Sequence, residues 1–125
     1  MGIWHRKSGR TDTGARRKRF MGKRKHEMGR TPTETLMGEP KLRVVDSRGK
    51  TKKTPVLRIN YVNVTDPKKN ETFRAEIQDV EENSASMDYQ RRKVITRGTI
   101  IKTDKGRAKI TSRPGQDGIL NAVLI

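Results

Sequence analysis

From residue 41 to residue 125 the chain alternates apolar and polar side chains in short runs, and before residue 41 it does not. In that stretch 28 of 85 residues are apolar and 16 of those are Val or Ile, which lose little freedom on a pleated surface and more in a helix. Strands are therefore the default expectation. Residues 41–46 read as a short first strand. Residues 56–64 read as the strongest, with Leu57, Ile59 and Tyr61 on one face and Arg58 and Asn60 on the other. Val62 and Val64 then switch parity, which predicts a bulge or a strand buried on both sides at one end.

Punctuation supplies the connections. The polar cluster 65–70 predicts a turn, after which Phe73, Ala75 and Ile77 alternate with Arg74, Glu76 and Gln78 to complete a hairpin. Asn83-Ser84-Ala85-Ser86 offers caps for at most two helical turns through Met87, Tyr89 and Arg91. Residues 94–96 and 99–102 flank Gly98, the pattern of one kinked strand or two short ones. Asp104-Lys105-Gly106 is a tight hairpin signal; residues 108–111 pair back, and residues 119–125 close the chain as an apolar strand. About six short strands with little helix predict a mainly β fold, a small antiparallel barrel whose closure protects its edges. This barrel domain is expected over residues 41–125, preceded by an extension and linker over residues 1–40.

That extension has a different character. Residues 5–30 hold eleven Lys or Arg, seven of them Arg, against Asp12 and Glu27, with glycines at 9, 14, 22 and 29. So few apolar side chains cannot offset the entropy of ordering, and like charges push the segment open, so alone it is expected to be disordered. A dense array of phosphates would order it, because the planar guanidinium donates two hydrogen bonds at once. Candidate RNA contacts here are Arg6, Lys7, Arg10, Arg16, Arg17, Lys18, Arg19, Lys23, Arg24, Lys25 and Arg30. A mixed charge run is usually only a solvated face, but this one is nearly single in sign. Phe20, Met21 and Met28 are too sparse for the apolar stripe of a membrane-surface helix. Trp4, the one tryptophan, is expected to pack onto the folded domain, with stacking on a base as the alternative.

Charge over the whole chain sharpens the picture. The net charge is +16, of which residues 1–60 carry +13, the electrostatic footprint of a polyanion binder. A second basic element, residues 47–55, adds Arg48, Lys50, Lys52 and Lys53 with no acid, and the turn 111–118 adds Arg113 beside Pro114 and Gly115. The bland reading of that turn is an ordinary β-turn.

Other chemistries find little support. Without cysteine there is no disulfide, thiolate metal site or Cys nucleophile, which agrees with a reducing cytoplasm. No apolar run suggests a signal peptide or a membrane-spanning helix. His5 and His26 lack a third metal-ligating partner, and no phosphate loop, zinc helix or nucleophile elbow occurs. Asp79, Glu81 and Glu82 form the acidic concentration; a cation is one reading, and pairing with the chain's own basic residues is the favoured one. No enzymatic activity, cofactor, metal or small-molecule substrate is expected.

Several stretches resemble a known family. Trp4-His5-Arg6-Lys7-Ser8, Thr13-Gly14 before the basic run, and Lys23-Arg24-Lys25-His26-Glu27-Met28-Gly29-Arg30-Thr31-Pro32 are similar to the e-type, archaeal and eukaryotic family of small-subunit ribosomal protein eight. So are Arg91-Arg92 before residues 94–98, and the ending from Thr111 to Leu124. The likeness covers essentially the whole chain, most closely in its archaeal form. It departs at Gly49-Lys50-Thr51, where the family usually has Gly-Gly-Asn. The resemblance implies a structural protein of the cytoplasmic ribosome, its basic extensions threaded into small-subunit ribosomal RNA around a β-barrel and touching neighbouring ribosomal proteins. The alternative is a ribosome-biogenesis or other RNA-binding factor on the same barrel.

Overall fold

The computed structural model describes residues 3–18 and 21–125. Its contacts divide the chain into two units, residues 1–32 and 33–125. In the first, β1 (Ile3–Trp4) pairs antiparallel with β2 (Met28–Gly29), placing Trp4 opposite Met28. The ladder continues through His5, whose N–H donates to the Glu27 carbonyl at 2.9 Å. Between the two strands the chain doubles back: Arg10 faces Arg16 across an antiparallel bridge, and the Thr11 N–H reaches the Ala15 carbonyl at 2.9 Å. Gly14, with φ of 86°, supplies the left-handed step of that turn. Backbone hydrogen bonds hold this unit together, since none of its described residues is buried. A β-carbon at Gly29 would meet the His5 imidazole, so any larger residue there requires the exposed ring to turn aside.

The second unit carries β3 (Leu36–Met37), β4 (Lys41–Leu42), β5 (Val45–Asp46), β6 (Lys52–Lys53), β7 (Val56–Ile59), β8 (Tyr61–Asp66) and β9 (Glu71–Glu82). After these come α1 (Met87–Arg91), β10 (Ile100–Thr103), β11 (Gly106–Ile110), α2 (Pro114–Asp117) and β12 (Asn121–Leu124). Strands β8 to β12 form a closed barrel in which each pairs with the next and β12 returns to β8. The mainly β fold and the barrel are as the alternation predicts, but the strand count is five rather than about six. One pairing is also parallel: Ala122 lies beside Val64 and Val123 beside Thr65. An odd number of strands in up-and-down order brings the first and last to the seam pointing the same way, so this closure cannot be antiparallel.

A five-stranded barrel is narrow, because diameter grows with strand number. The sequence meets this by setting an alanine against a β-branched residue at the interior: Ala75 faces Val62, Ala108 faces Ile101, and Ala122 faces both Ile110 and Val64. All seven are essentially inaccessible to solvent, the small-against-large filling that a tight barrel requires.

The parity switch has a topological cause. At Asn60 the chain leaves one sheet for another: β7 lies between β3 and β4, and β8 opens the barrel. The Ile77 N–H donates to the Asn60 carbonyl at 2.9 Å across the break. Residues 41–46 divide in the same way, β4 pairing with β7 and β5 with β6. Residues 94–96 form no strand; Ile95 makes a single bridge to Thr35. Thr35 is fully buried, its hydroxyl donating to the Val56 carbonyl at 2.7 Å and its own carbonyl accepting from the Ile95 N–H at 2.8 Å. The helical turn starts as its caps predict, Ser86 Oγ accepting from the Asp88 N–H at 3.2 Å.

Candidate nucleic-acid interface

Five of the candidate residues of the N-terminal unit line one cleft. Doubling back at residues 11–15 sets Arg17 beside Gly9, the Arg17 N–H donating to the Gly9 carbonyl at 2.9 Å. Trp4, Arg6, Lys7, Arg17, Lys18 and Lys23 then line a cavity of about 460 Å³ that has no acidic residue in its wall. The Lys23 ammonium sits 5.2 Å from the centroid of the Trp4 ring. Arg6 is positioned by a hydrogen bond from Nη1 to the Met21 carbonyl at 3.2 Å. Arg10 and Arg16 face each other at the neck of the turn, and Arg10 Nη1 donates to the Gly14 carbonyl at 3.0 Å. Arg24 and Lys25 are exposed at the start of a 3-10 turn over Lys25–Glu27, and Arg30 is exposed just past β2. Arg19 lies outside the described residues.

In the second unit the basic loop is a hairpin between β5 and β6, with Asp46 opposite Lys52 and Val45 opposite Lys53. Its tip is Arg48-Gly49-Lys50, closed by the Ser47 N–H on the Thr51 carbonyl at 2.7 Å. Gly49 and Lys50 are both left-handed, with φ of 75° and 61°. Glycine adopts this readily and lysine does not.

This hairpin is brought against the turn that carries Arg113. Lys53 Nζ donates to Gln116 Oε1 at 2.8 Å. At Gly118, whose φ is 80°, a β-carbon would lie 2.7 Å from the Thr54 carbonyl oxygen. The turn itself is a short helical one, Asp117 Oδ2 accepting from the Arg113 N–H at 2.9 Å. Residues some sixty positions apart are thus brought into contact, which sequence separation conceals.

Three other cations of this unit are paired with carboxylates. Arg92 forks onto Glu34, Nη1 to Oε2 at 2.5 Å and Nη2 to Oε1 at 3.0 Å, and also pairs with Asp88 at 2.8 Å. The Glu34 hydrogen bond, then that of Asp88, holds the guanidinium charged well above its ordinary range. Lys93 pairs with Asp79 at 2.5 Å and Arg107 with Glu81 at 2.6 Å. The Asp79 carboxyl is lowered chiefly by Lys93, with help from the Val80 N–H at 2.8 Å. Two of the three clustered acids therefore serve the chain's own cations, the reading favoured by the sequence. Among the described residues no group of three or more His, Asp or Glu is arranged to hold a metal. None of the ion pairs found within this unit uses Arg48, Lys50, Lys52, Lys53 or Arg113.

Sequence reasoning missed one pair. Arg74 stacks its guanidinium 3.6 Å from the centroid of Tyr61. Tyr61 lies directly opposite Glu76 in the ladder, so Arg74 reaches it diagonally, and only the register reveals the contact.

The geometry now has a family to belong to. A family model described as ribosomal protein S8e matches residues 4–125. The chain belongs to this family. It is a family of ribosomal proteins and not of enzymes. Among its relatives, the small ribosomal subunit protein eS8 of Methanococcus aeolicus is 48% identical over 126 aligned positions, covering 100% of this chain and 98% of the relative. The protein of the same name from Halobacterium salinarum is 50% identical over 119 positions, covering 95% of this chain and 94% of its own. That from Methanobrevibacter smithii is 45% identical over 125 positions and covers both chains entirely. The family thus extends through the cleft, the hairpin and the barrel alike. No helix among the described residues is long and apolar enough to cross a membrane.

Proposed function

We propose that this chain is a structural constituent of the small ribosomal subunit in the cytoplasm, holding ribosomal RNA through its N-terminal unit and through the hairpin 45–53 with Arg113. The observation that carries this reading is the contrast in charge. Arg92, Lys93 and Arg107 are spent on carboxylates, whereas the hairpin and the Arg113 turn gather five cations that none of these ion pairs uses. A surface of that kind is satisfied by phosphate, which the guanidinium fork and the ammonium both suit. Neighbouring small-subunit proteins complete the environment in this reading. The test is sedimentation: the tagged chain should stay with mature small subunits through a high-salt wash. Release by the wash, with retention only on precursor particles, would instead make it a ribosome-biogenesis factor.

A further inference from the structure

We infer that the Trp4 cleft is a nucleobase site: it takes one unstacked base of an RNA strand against the indole while the flanking cations hold the adjoining phosphates. The inference rests on the RNA-binding reading above and adds a defined pocket to it. Four observations carry it. Trp4 is half-buried in a unit where no described residue is buried, so its ring does not serve a packed core. The cavity beside it, about 460 Å³, falls within the roughly 300–1,000 Å³ typical of small-ligand sites. Its wall offers Arg6, Lys7, Arg17, Lys18 and Lys23 and no carboxylate. Gly9, with no side chain to fill the opening, forms the wall next to Arg17.

Ligand chemistry follows from that combination. An aromatic floor alone would suit any flat apolar group, and a ring of cations alone would suit any phosphate or sulfate. A nucleotide within a strand carries both a π face and negative charge, and base stacking is indifferent to base identity. Lys23, 5.2 Å above the ring, already uses the electron-rich face. On binding, the base takes that face and the Lys23 ammonium moves to the phosphate. Bases within a regular duplex are stacked on one another and do not fit, so the site selects a bulge, loop or single strand.

Trp4 is the chain's one tryptophan, so its fluorescence reports this cleft and nothing else. The full-length chain is titrated with a single-stranded adenylate hexamer, a blunt RNA duplex, and inorganic polyphosphate of matched charge. The hexamer should quench the emission to saturation; polyphosphate should compete for binding with little quenching. Trp4→Ala should weaken hexamer binding by about 5- to 150-fold, the range for loss of one stacked base, with its salt dependence unchanged. Trp4→Phe should recover most of that loss. Lys23→Ala should flatten the salt dependence by somewhat under one unit. Hexamer binding that leaves Trp4 emission unmoved overturns the cleft proposal while sparing the RNA reading, and so does a Trp4→Ala chain that folds and binds like the wild type. Failure of every RNA to bind overturns both. The wild-type titration decides even where the Ala variant does not fold.

Discussion

The two units of this chain are stabilised by opposite means. Residues 33–125 close a barrel around buried side chains, fourteen of them hydrophobic across the unit, and tie Arg92, Lys93 and Arg107 to carboxylates. The N-terminal unit buries none of its described residues and relies on a few backbone pairs, Ile3 with Gly29 and Arg10 with Arg16 among them. Apolar burial supplies a unique fold before any partner arrives. A charge-rich ribbon has no such reserve, and its order depends on what neutralises it. One chain thus couples a body with its own packed core to a segment with few contacts to hold it.

The largest expected effect tests that division directly. Deleting residues 1–32 removes eleven basic and two acidic residues, a net +9. At about 0.7 to 0.9 units of salt slope per phosphate contact, affinity for ribosomal RNA at low salt should fall on the order of 10³-fold or more, with a much shallower slope. Hydrogen exchange in the barrel strands should not change. Equal affinity in the truncated chain would move the principal site to the hairpin 45–53. In the intact free protein, amides of residues 5–18 and 21–30 should exchange far faster than those of β8 to β12; comparable protection in both would erase the contrast.

Next in size is the core. Ile101 is fully inaccessible and faces Ala108 across the ladder, so Ile101→Ala opens a void that a narrow barrel cannot close. A loss of roughly 2–5 kcal/mol in denaturant unfolding is expected. Melting of the barrel should also abolish binding at the hairpin, whose base is held by Lys53 on Gln116.

A smaller effect sharpens the comparison inside the second unit. Lys50 holds a left-handed backbone at the exposed tip, strain that asparagine would tolerate better. Lys50→Asn should stabilise the chain by a few tenths to about 1 kcal/mol and yet weaken RNA binding, flattening the salt slope by somewhat under one unit. Opposite signs for stability and affinity would show that Lys50 is retained for its charge; a gain or no change in affinity would show that it is not.

The smallest effect concerns pH. Asp79 has its carboxyl depressed below the ordinary 3.8, first by Lys93. A depressed carboxylate stabilises the fold above its unfolded value, and that contribution disappears as pH falls through the folded one. Lys93→Met should therefore move the acid-unfolding midpoint slightly upward and leave stability at pH 7 nearly as it was, since both side chains are about half exposed. A large loss at pH 7 would mean that the pair is structural in a way its exposure does not indicate.

Where signals are local, sequence and structure agree. Within the expected 65–70 cluster, Pro67 to Asn70 turn the β8–β9 hairpin, with the Lys68 N–H on Asp66 Oδ1 at 2.9 Å and Asn70 left-handed. Asp104-Lys105-Gly106 turns the next, and Ser86 caps α1 where it should. The basic segments are legible because charge needs no folding to be counted. The family resemblance is legible for the same reason, since its motifs are contiguous.

What the sequence by itself determined was therefore the main strand-forming segments of the barrel, its local turns and the placement of charge along the chain. Tertiary structure decided which partners they took. The parity change after Asn60 announces an irregularity, but only the assembled sheets show a chain crossing from β7 into the barrel. The parallel seam of β12 on β8 joins residues 58 positions apart, and Lys53 meets Gln116 across 63. Trp4 becomes the floor of a cleft only because Lys23 returns over its ring. Each such contact costs loop-closure entropy that no local pattern records, and is fixed only when the whole set of pairings closes together.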